Sequence, residues 1–543
     1  MRREQVFWGW GEPGAGPSLP EHAVEFLRSV VGVSGEVVST PVALEAVRLR
    51  EPALDGAMRA RLEEVVGSGH VRDDREARVL RCRGKSYLDL LAQRTGSCED
   101  APDAVVAPAS HEQVAAVLAV CAEAGVAVVP LGGGTSVVGG LEPLRGDFAS
   151  LVSLDLARMD GVLAVDERSL TATLGPGLRL PEADRLLAAY GLTLGHVPQS
   201  YEWATVGGCV ATRSSGQTST ALGGIAANLV GVRLATPAGE LAPRTLPASA
   251  AGPDLRQLVA GSEGTLGVIT AATLRVHPVP SERRYEGWVV AGFEAGCEAL
   301  RALAQASAAP DVARLSDEDE TRTALAFAGA NRLARAAIHA RAGGGPPGLA
   351  SRGRVEGGPC LLVCGWDGDV RRRRSEAVGR LRSAGARSLG QRPGRAWLAS
   401  RFAGPYVRDD LLDRAVMVET LETAAPWSRL SAVHAAVRAA LPGMLVGCHV
   451  SHLYPTGASL YFTVLAGRDD GDPAGQWRAA KGAATDALLV AGGTLTHHHA
   501  VGRDHAPWME AEVGALGLDA LRAVKERCDP AGVMNPGKLL VAT

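Results

Sequence analysis

The chain has 543 residues, of which 46% are hydrophobic and 21% charged, and its formal net charge is −3. This length predicts more than one domain, and the small net charge argues against a nucleic-acid or anionic-membrane partner. Nine scattered cysteines without a CxxC pair favour a reducing compartment. No run approaches the ~20 apolar residues of a membrane span, and Met1–Pro13 lacks a secretory signal's apolar core. We therefore expect a cytoplasmic protein with at most peripheral membrane contact.

The first predicted elements lead from the N-terminus to a buried strand. Residues 1–95 mix helical patterns with loops, and residues 80–91 predict a helix that enters the next region. Ser110 can cap a helix that extends to Ala124. The apolar face of this helix is formed by Val114, Val117, Leu118 and Cys121. The apolar run Val126–Val129 then predicts a buried strand.

A glycine-rich turn, Pro130–Val137, follows this strand. Its three successive glycines, Gly132–Gly134, let backbone N–H groups approach a phosphate with no Cβ in the way. An ordinary strand-to-helix turn is the alternative. Segments 198–208 and 261–270 are also rich in Gly, Ser and Thr, which offer donors to an anion. The turn is not a G-x-G-x-x-G motif, so we expect no nicotinamide site.

In order and spacing, these three segments resemble the FAD-binding domain of the vanillyl-alcohol oxidase type of flavoprotein, over about residues 80–280. The resemblance implies an α+β fold: a two-subdomain FAD-binding domain, a second α+β substrate (cap) domain, and a C-terminal segment that returns to the flavin domain. The stretches near Gly132 and Gln199 offer no cysteine or histidine at the points where this family links its flavin, and His196 is the closest exception. We therefore expect FAD to be held non-covalently. The implied FAD contacts are Leu131, Gly132, Gly133, Gly134, Thr135, Ser136, Val137, Gln199, Ser200, Thr205, Gly207, Gly208, Thr212, Ser215, Glu263, Gly264, Thr265, Leu266, Gly267, Val268 and Ile269.

We expect four regions along the chain, with Pro278–Pro280 marking the end of the second. They are an N-terminal helical region (1–95), the FAD-binding domain (96–280), the substrate or cap domain (281–490) and a C-terminal segment (491–543). The later elements are also predicted from local patterns. Those predictions are buried strand positions at Cys360 and Cys364, a mobile loop over Arg341–Gly358, a solvated helix start at Arg371–Arg374, and a helix near Leu516–Arg527.

A histidine triplet, His497, His498 and His499, lies in the C-terminal segment. On a strand, His497 and His499 would share a side and His498 would face the other way. A metal site is the alternative, with His449 and His452 as further ligands, but it needs a closed ligand set. We expect no metal and a role through charge and hydrogen bonding.

The triplet, together with four further motifs in order, resembles the alkylglycerone-phosphate synthase family across almost the whole chain. These motifs are Phe7–Gly11, Pro405–Asp409, Glu419–Trp427 and Gly457–Phe462. The resemblance implies a transferase of ether-lipid synthesis that uses FAD without net redox. Such an enzyme exchanges the acyl group of an acyl-dihydroxyacetone phosphate for a fatty alcohol through an adduct at flavin N5.

The same resemblance implies roles for individual side chains. Tyr461 would be the acid/base, Arg408 would bind the substrate phosphate, Arg314 would be needed for activity, and the triplet would belong to the active site. Cationic histidines nearby would lower the pKa of Tyr461. His449 would be a further substrate-binding residue.

Alternatives remain open at this point. Arg408 can instead pair with Asp409 or Asp413, and Tyr461 can be a packing residue of a strand. His449, where animal members of the family carry an arginine, resembles the histidine of flavin-dependent 2-hydroxyacid dehydrogenases, as does the tail Asn535–Lys538. The alternative function is therefore an FAD-linked oxidase or dehydrogenase of a 2-hydroxy acid or alcohol, with His449 or His499 as base. Either way we expect a small-molecule or lipid substrate, and a homodimer is left open.

Overall fold

The computed structural model describes residues 3–16, 18–329 and 357–540. The helices of this part of the chain are α1 (Glu21–Val30), α2 (Gly56–Val66), α3 (Arg75–Leu80), α4 (Tyr87–Arg94), α5 (His111–Ala124), α6 (Leu180–Leu187), α7 (Val206–Ala211), α8 (Ser219–Leu222), α9 (Ile225–Asn228), α10 (Leu255–Val259), α11 (Phe293–Gln305), α12 (Glu318–Phe327), α13 (Val370–Ser383), α14 (Gln391–Ser400), α15 (Gly404–Asp413), α16 (Trp427–Ala440), α17 (Pro473–Val490), α18 (Met509–Val513) and α19 (Ala515–Cys528).

The strands are β1 (Val71–Arg72), β2 (Ala104–Val106), β3 (Val126–Leu131), β4 (Ser150–Asp155), β5 (Val162–Asp166), β6 (Thr171–Leu174), β7 (Leu192–Thr193), β8 (Leu229–Thr236), β9 (Gly239–Leu241), β10 (Val268–Arg275), β11 (His277–Pro278), β12 (Arg283–Val290), β13 (Val312–Ser316), β14 (Cys360–Asp367), β15 (Arg387–Gly390), β16 (Val416–Pro426), β17 (Leu445–Tyr454) and β18 (Gly457–Gly467).

Three main sheets organise these elements. The first has the order β1-β2-β4-β3, with β4 parallel to both β2 and β3. The second is antiparallel, in the order β5-β6-β10-β8-β9, and the third is a seven-stranded antiparallel sheet in the order β15-β12-β14-β13-β17-β18-β16. The apolar side chains of the three sheets pack mainly into three buried clusters, and the cluster of the first sheet also includes Ala235 and Val268 of the second. The α+β class is confirmed, and the division at residues 95, 280 and 490 stays a prediction.

The predicted helix and strand before the glycine-rich turn are confirmed. Ser110 caps α5 by accepting a hydrogen bond from Gln113 N, and the four predicted apolar residues of α5 are its buried ones. Strand β3 is buried at five of its six positions. Because this strand is buried, it fixes the position of the glycine-rich turn that follows it.

The helix predicted over residues 80–91 is wrong in its first half, because α3 ends at Leu80 and α4 begins only at Tyr87. Ser86 and Asp89 form a capping box that starts a new helix. Gly84 packs against the glycine-rich turn, where a Cβ would lie 2.5 Å from Ser136 O. The non-helical link therefore follows from the need for close backbone contact with that turn.

The predictions for the second half of the chain have mixed outcomes. Cys360 and Cys364 are fully buried in β14, and α19 contains the predicted helix. The basic run begins α13, but two of its arginines bind buried carboxylates, Arg373 at Asp311 and Arg374 at Glu286, rather than only solvent. The loop predicted at 341–358 lies outside the described residues, apart from its last two.

The C-terminal tail returns to the first sheet, as expected. Val128 N donates to Val533 O at 2.8 Å and Asn535 N donates to Val128 O at 2.8 Å. The Asn535 amide also donates to Glu263 O at 2.7 Å. In the described part of the chain, none of the helices combines the length and the hydrophobicity that a membrane span requires.

Candidate active site

A cavity of about 580 Å³ joins the glycine-rich turn to the seven-stranded sheet. Its walls include residues 131–137, segments near Gln199 and Glu263, and the central strands β16, β17 and β18. This volume falls within the range of small-molecule and cofactor sites in proteins.

The glycine-rich turn presents free donors to the cavity. Within the described chain, none of the backbone N–H groups of residues 133–137 donates a hydrogen bond to protein. A Cβ on Gly133 would lie 2.2 Å from Trp203 O, and one on Gly132 would lie 2.3 Å from Thr205 Oγ1. A cradle of unpaired N–H groups built on glycine fits a pyrophosphate, which favours the anion site over an ordinary turn.

The structure brings together nearly all of the predicted cofactor residues. Two do not reach the cavity: Thr265 donates its hydroxyl to Ser262 O at 2.7 Å, and Leu266 packs in the core of the second sheet. Their neighbours Gly264 and Gly267 do line it. The predicted positions of Thr265 and Leu266 are corrected because the chain turns tightly here and sends their side chains inward.

One row of polar side chains crosses the seven-stranded sheet at the cavity. Glu422 of β16 is in register with Tyr461 of β18, which is in register with His449 of β17. Such cross-strand neighbours share a face of the sheet. The rings of Tyr461 and His449 stack with centroids 4.8 Å apart, and both residues line the cavity. The structure therefore places Tyr461 in the wall of the site rather than in the core.

The histidine triplet is not a strand, so the expected alternation of its side chains is wrong. Residues 497–499 form a bend, and Ala500 follows with a φ of 74° that ends any extended run. His498 and His499 line the cavity. His497 does not, and its Nε2 lies 2.6 Å from the Tyr454 hydroxyl.

Glu422, which the sequence analysis did not identify, holds this bend in place. Its carboxylate accepts the N–H groups of His497, His498 and His499 at 2.7, 3.1 and 2.9 Å. It also accepts the Thr496 hydroxyl. Burial alone would raise its pKa, but the histidines, His498 foremost, hold the pKa of Glu422 well below its usual value. The motif Glu419–Trp427 contained this residue, yet only the strand register shows that it faces Tyr461.

Burial keeps three of the neighbouring imidazoles, those of His452, His497 and His499, neutral at pH 7. Burial lowers the pKa of His497 to about 4, and it holds the pKa values of His452 and His499 well below the usual range. A buried imidazole loses hydration that its charged form needs.

Burial has the opposite effect on the phenol. It raises the pKa of Tyr461, against the opposing hydrogen bond with Thr420 and the charges of Arg314 and Arg408. The expectation that cationic histidines lower this pKa is therefore wrong. Tyr461 is a protonated phenol at neutral pH, and its proton must leave before it can act as a base.

Arg314 and His449 form a compact group with Glu320 of α12. Arg314 Nη1 lies 3.1 Å from His449 Nε2, and Nη2 donates to Glu320 Oε1 at 2.7 Å. Because arginine only donates, His449 Nε2 accepts and its Nδ1–H donates to the same Glu320 oxygen at 2.9 Å. Both ring nitrogens of His449 are thus engaged, which leaves no free basic nitrogen on this residue.

Arg408 faces the cavity and pairs with neither of the carboxylates that could have taken it. Asp413 forms a salt bridge with Arg94, and Asp409 accepts the Trp10 N–H. Arg408 donates Nη1 to Lys85 O at 2.8 Å, and its buried Nε has no partner within the described chain.

The N-terminal motif Phe7–Gly11 explains this arrangement of α15. It packs on the helix: a Cβ on Gly9 would meet Asp409, and one on Gly11 would meet Tyr406. Lys85 Nζ fixes the same segment by donating to Val6 O and Phe7 O at 2.9 and 3.0 Å. A free guanidinium held by backbone contacts suits a phosphate ligand.

Three histidines come close enough to hold a metal ion. The ligand nitrogens of His452, His497 and His498 lie within 4.8 Å of one another. Hydrogen bonds already occupy part of this set, since His497 Nδ1 and His498 Nδ1 are 3.0 Å apart. These two nitrogens are therefore held by a hydrogen bond, while the buried His452 Nδ1 has no hydrogen-bond partner within the described chain.

We predict that turnover is unchanged after dialysis against a chelator, because hydrogen bonds organise the histidines. Elemental analysis of the purified protein should show no stoichiometric metal. Zinc or iron at one equivalent, with activity lost on chelation and restored on addition, would contradict this prediction.

Comparisons with known proteins define the class to which this site belongs. The model of the FAD binding domain matches residues 102–242, and the model of the C-terminal domain of FAD linked oxidases matches residues 279–539. A solved 4-ethylphenol oxidase from Gulosibacter chungangensis shares the fold with a TM-score of 0.68 at 16% identity, covering 93% of this chain and 99% of its own. The chain is thus an FAD-dependent enzyme with the expected fold of the vanillyl-alcohol oxidase type.

Closer relatives narrow the class. The alkyldihydroxyacetonephosphate synthase of Trypanosoma brucei brucei is 32% identical over 99% of this chain and 92% of its own length, and that of Dictyostelium discoideum is 33% identical over 87% and 78%. A solved alkyldihydroxyacetonephosphate synthase superposes with a TM-score of 0.82 at 28% identity, covering 98% of each chain. The chain belongs to the alkyldihydroxyacetonephosphate synthase family, which confirms the resemblance found in its motifs.

We predict that FAD is bound non-covalently. His196, the residue nearest a possible linking point, does not line the cavity, and its Nε2 lies 3.1 Å from Ser214 Oγ. Acid precipitation should release all of the yellow colour into the supernatant. Colour that stays with the protein pellet would contradict this prediction.

Proposed function

We propose that the enzyme exchanges the acyl group of an acyl-dihydroxyacetone phosphate for a long-chain alcohol, with release of a fatty acid and formation of an ether. The proposal rests on the family and on one feature of the cavity, the graded polarity of its sheet wall. We also propose that the enzyme is cytoplasmic. Because its substrates are lipids, any contact with the membrane would be peripheral.

The sheet wall changes from polar to apolar in three successive rows. The first row is Glu422, Tyr461 and His449; the next is Thr420, Thr463 and Gly447; the third is Val418, Leu465 and Leu445. All except Glu422 line the cavity, as do Phe327 and Leu411 beside the third row. An apolar arm of this kind suits an alkyl chain, whereas a short hydroxy acid has no use for it.

Arg408 and Tyr461 would act at the polar end. The unpaired guanidinium edge of Arg408 can bind a phosphate through charge-assisted hydrogen bonds. Tyr461 would exchange a proton with the substrate carbon next to the ketone, while the charges of Arg314 and Arg408 stabilise its phenolate. Arg314 and Arg408 both line the cavity, and their positive charges lower the pKa of Tyr461 against the larger effect of burial.

FAD would be held by residues 131–137, Gln199, Thr205 and Glu263, which line the cavity apart from the sheet wall. When bound, it supplies a ring that can accept electron density from the substrate and return it within one cycle. The protein residues bind and orient the substrate and transfer the proton.

The test is a product balance. Purified protein is incubated with an acyl-dihydroxyacetone phosphate and hexadecanol, and fatty acid and ether product are quantified by mass spectrometry. We expect both in equal amounts, with no need for an electron acceptor. A matched reaction without the alcohol should give no ether, and absence of ether in the complete mixture would overturn the proposal.

An FAD-linked oxidase of a hydroxy acid is the second candidate, favoured by the match to the FAD linked oxidase C-terminal domain. His449 is an unsuitable base for it, because both of its ring nitrogens are engaged. His499, which lines the cavity and whose Nδ1 has no hydrogen-bond partner within the described chain, is the remaining choice. Reduction of a dye by 2-hydroxy acids would support this candidate.

A further inference from the structure

Glu422 belongs to the row that carries Tyr461, and its carboxylate binds the bend that carries His498. We propose that Glu422 is a positioning residue: it fixes the tautomer of His498 with the proton on Nδ1, so that Nε2 is the proton-accepting nitrogen beside Tyr461. The inference concerns the proton path of the proposed transferase and rests on that proposed function.

The tautomer follows from what surrounds Nδ1 of His498. This atom lies 3.3 Å from Glu422 Oε2, and a lone pair there would face a negative charge. A proton on Nδ1 faces the carboxylate favourably and can also be shared with His497 Nδ1 at 3.0 Å. His497 then carries its own proton on Nε2 and donates it to the Tyr454 oxygen at 2.6 Å.

Glu422 is rigidly placed for this task. The carboxylate is fully buried, at 2% exposure, and three backbone N–H groups and the Thr496 hydroxyl satisfy its oxygens. A carboxylate with this many donors remains ionised in a buried site. Its charge is therefore permanent, and it acts on His498 throughout the cycle.

The other ring nitrogen of His498 remains available. Within the described chain, His498 Nε2 has no hydrogen-bond partner, and the ring lines the cavity. It lies nearly parallel to the Tyr461 ring, at 20° and with centroids 6.1 Å apart. Among the residues beside Tyr461, His449 is excluded as an acceptor by its bonds to Arg314 and Glu320.

This arrangement provides an acceptor for the phenolic proton of Tyr461. The Tyr461 O–H bond breaks and an N–H bond forms at His498 Nε2, directly or through one water. The resulting imidazolium faces the Glu422 carboxylate, which stabilises it. The phenolate can then take a proton from the substrate carbon, and Nε2–H gives the stored proton to the leaving carboxylate oxygen as its bond to carbon breaks. Nε2 next takes the proton that the incoming alcohol loses as its oxygen bonds to that carbon. The Tyr461 hydroxyl returns a proton to the substrate carbon, and the proton on Nε2 passes back to the phenolate. No electrons are transferred in these steps.

The kinetic test compares two buried glutamates of the same strand. We expect Glu422→Gln to lower kcat about 10- to 100-fold, with KM and FAD content within twofold of wild type, and Glu422→Asp to recover part of the loss. Glu419→Gln is the matched control, because Glu419 binds Lys481 and Trp477 outside the cavity. A kcat for Glu422→Gln equal to that of Glu419→Gln would overturn the proposal.

A second readout does not depend on turnover. In protein labelled with ¹⁵N-histidine, His498→Gln identifies the His498 signals in the NMR spectrum. We expect protonated Nδ1 and unprotonated Nε2 in the wild type, and loss of this preference in Glu422→Gln. An Nε2–H tautomer in the wild type, or no change in the variant, would overturn the assignment. If the tautomer is as expected but no ether forms, the proposed function fails and Glu422 still sets the tautomer.

Discussion

Replacement of Tyr461 by phenylalanine should lower kcat for ether formation by a factor of about 10²–10⁴, the usual contribution of a positioned acid/base group. The variant loses one hydroxyl and keeps the ring that stacks on His449 with centroids 4.8 Å apart. Packing is nearly preserved, so the FAD content and the melting temperature should stay close to those of the wild type. Steady-state kinetics and flavin absorbance measure these quantities on one preparation.

Tyr285→Phe is the matched control for this experiment. Tyr285 is buried in β12 of the same sheet, stacks on Trp397 and lies outside the cavity. We expect its kcat to match that of the wild type. A fall of less than about tenfold for Tyr461→Phe would make Tyr461 a packing residue and favour a histidine as the base.

The second large effect is expected for Arg408→Ala. Removal of this guanidinium takes away the charge-assisted partner of the substrate phosphate and should weaken binding by about 2–4 kcal/mol. This corresponds to a KM for the acyl-dihydroxyacetone phosphate that is roughly 30- to 1000-fold higher. The KM for the fatty alcohol and the FAD content should change little, since neither depends on the phosphate group of the acyl-dihydroxyacetone phosphate.

Two variants separate phosphate binding from a structural role of Arg408. Arg408→Lys keeps the charge without the planar fork and should fall between wild type and alanine. Arg414→Ala removes the arginine that follows α15 and binds Asp410 away from the cavity, and it should leave KM unchanged. An unaltered KM for the phosphate substrate in Arg408→Ala would remove this residue from the site.

Local patterns were sufficient to predict the elements whose signals lie within a few residues. The cap at Ser110, the apolar face of α5 and strand β3 are examples, because capping and periodicity act over one to three turns. The glycine-rich turn was also identified from a local pattern, because three adjacent glycines leave the backbone N–H groups of one short turn accessible; its use as an anion site stays a prediction. The link at residues 81–86 was missed, although the capping pair Ser86 and Asp89 was visible in the sequence.

The rest of the site depends on pairing between distant segments. Glu422 and Tyr461 are 39 positions apart, and only the register of β16 with β18 brings them side by side. The bend at His497–His499 depends on that same carboxylate and on the positive φ of Ala500. The pKa of Tyr461 was misjudged because burial, which local sequence does not show, outweighs the nearby charges.

The most direct test of the central claim, transfer without net redox, is the flavin spectrum during turnover. Oxidised enzyme is mixed anaerobically with an acyl-dihydroxyacetone phosphate and hexadecanol, and absorbance is followed until ether formation ends. We expect the flavin to be fully oxidised at the end, after many turnovers and with no acceptor added. Flavin that is bleached after one equivalent of substrate, and recovers only when an electron acceptor is supplied, would contradict it.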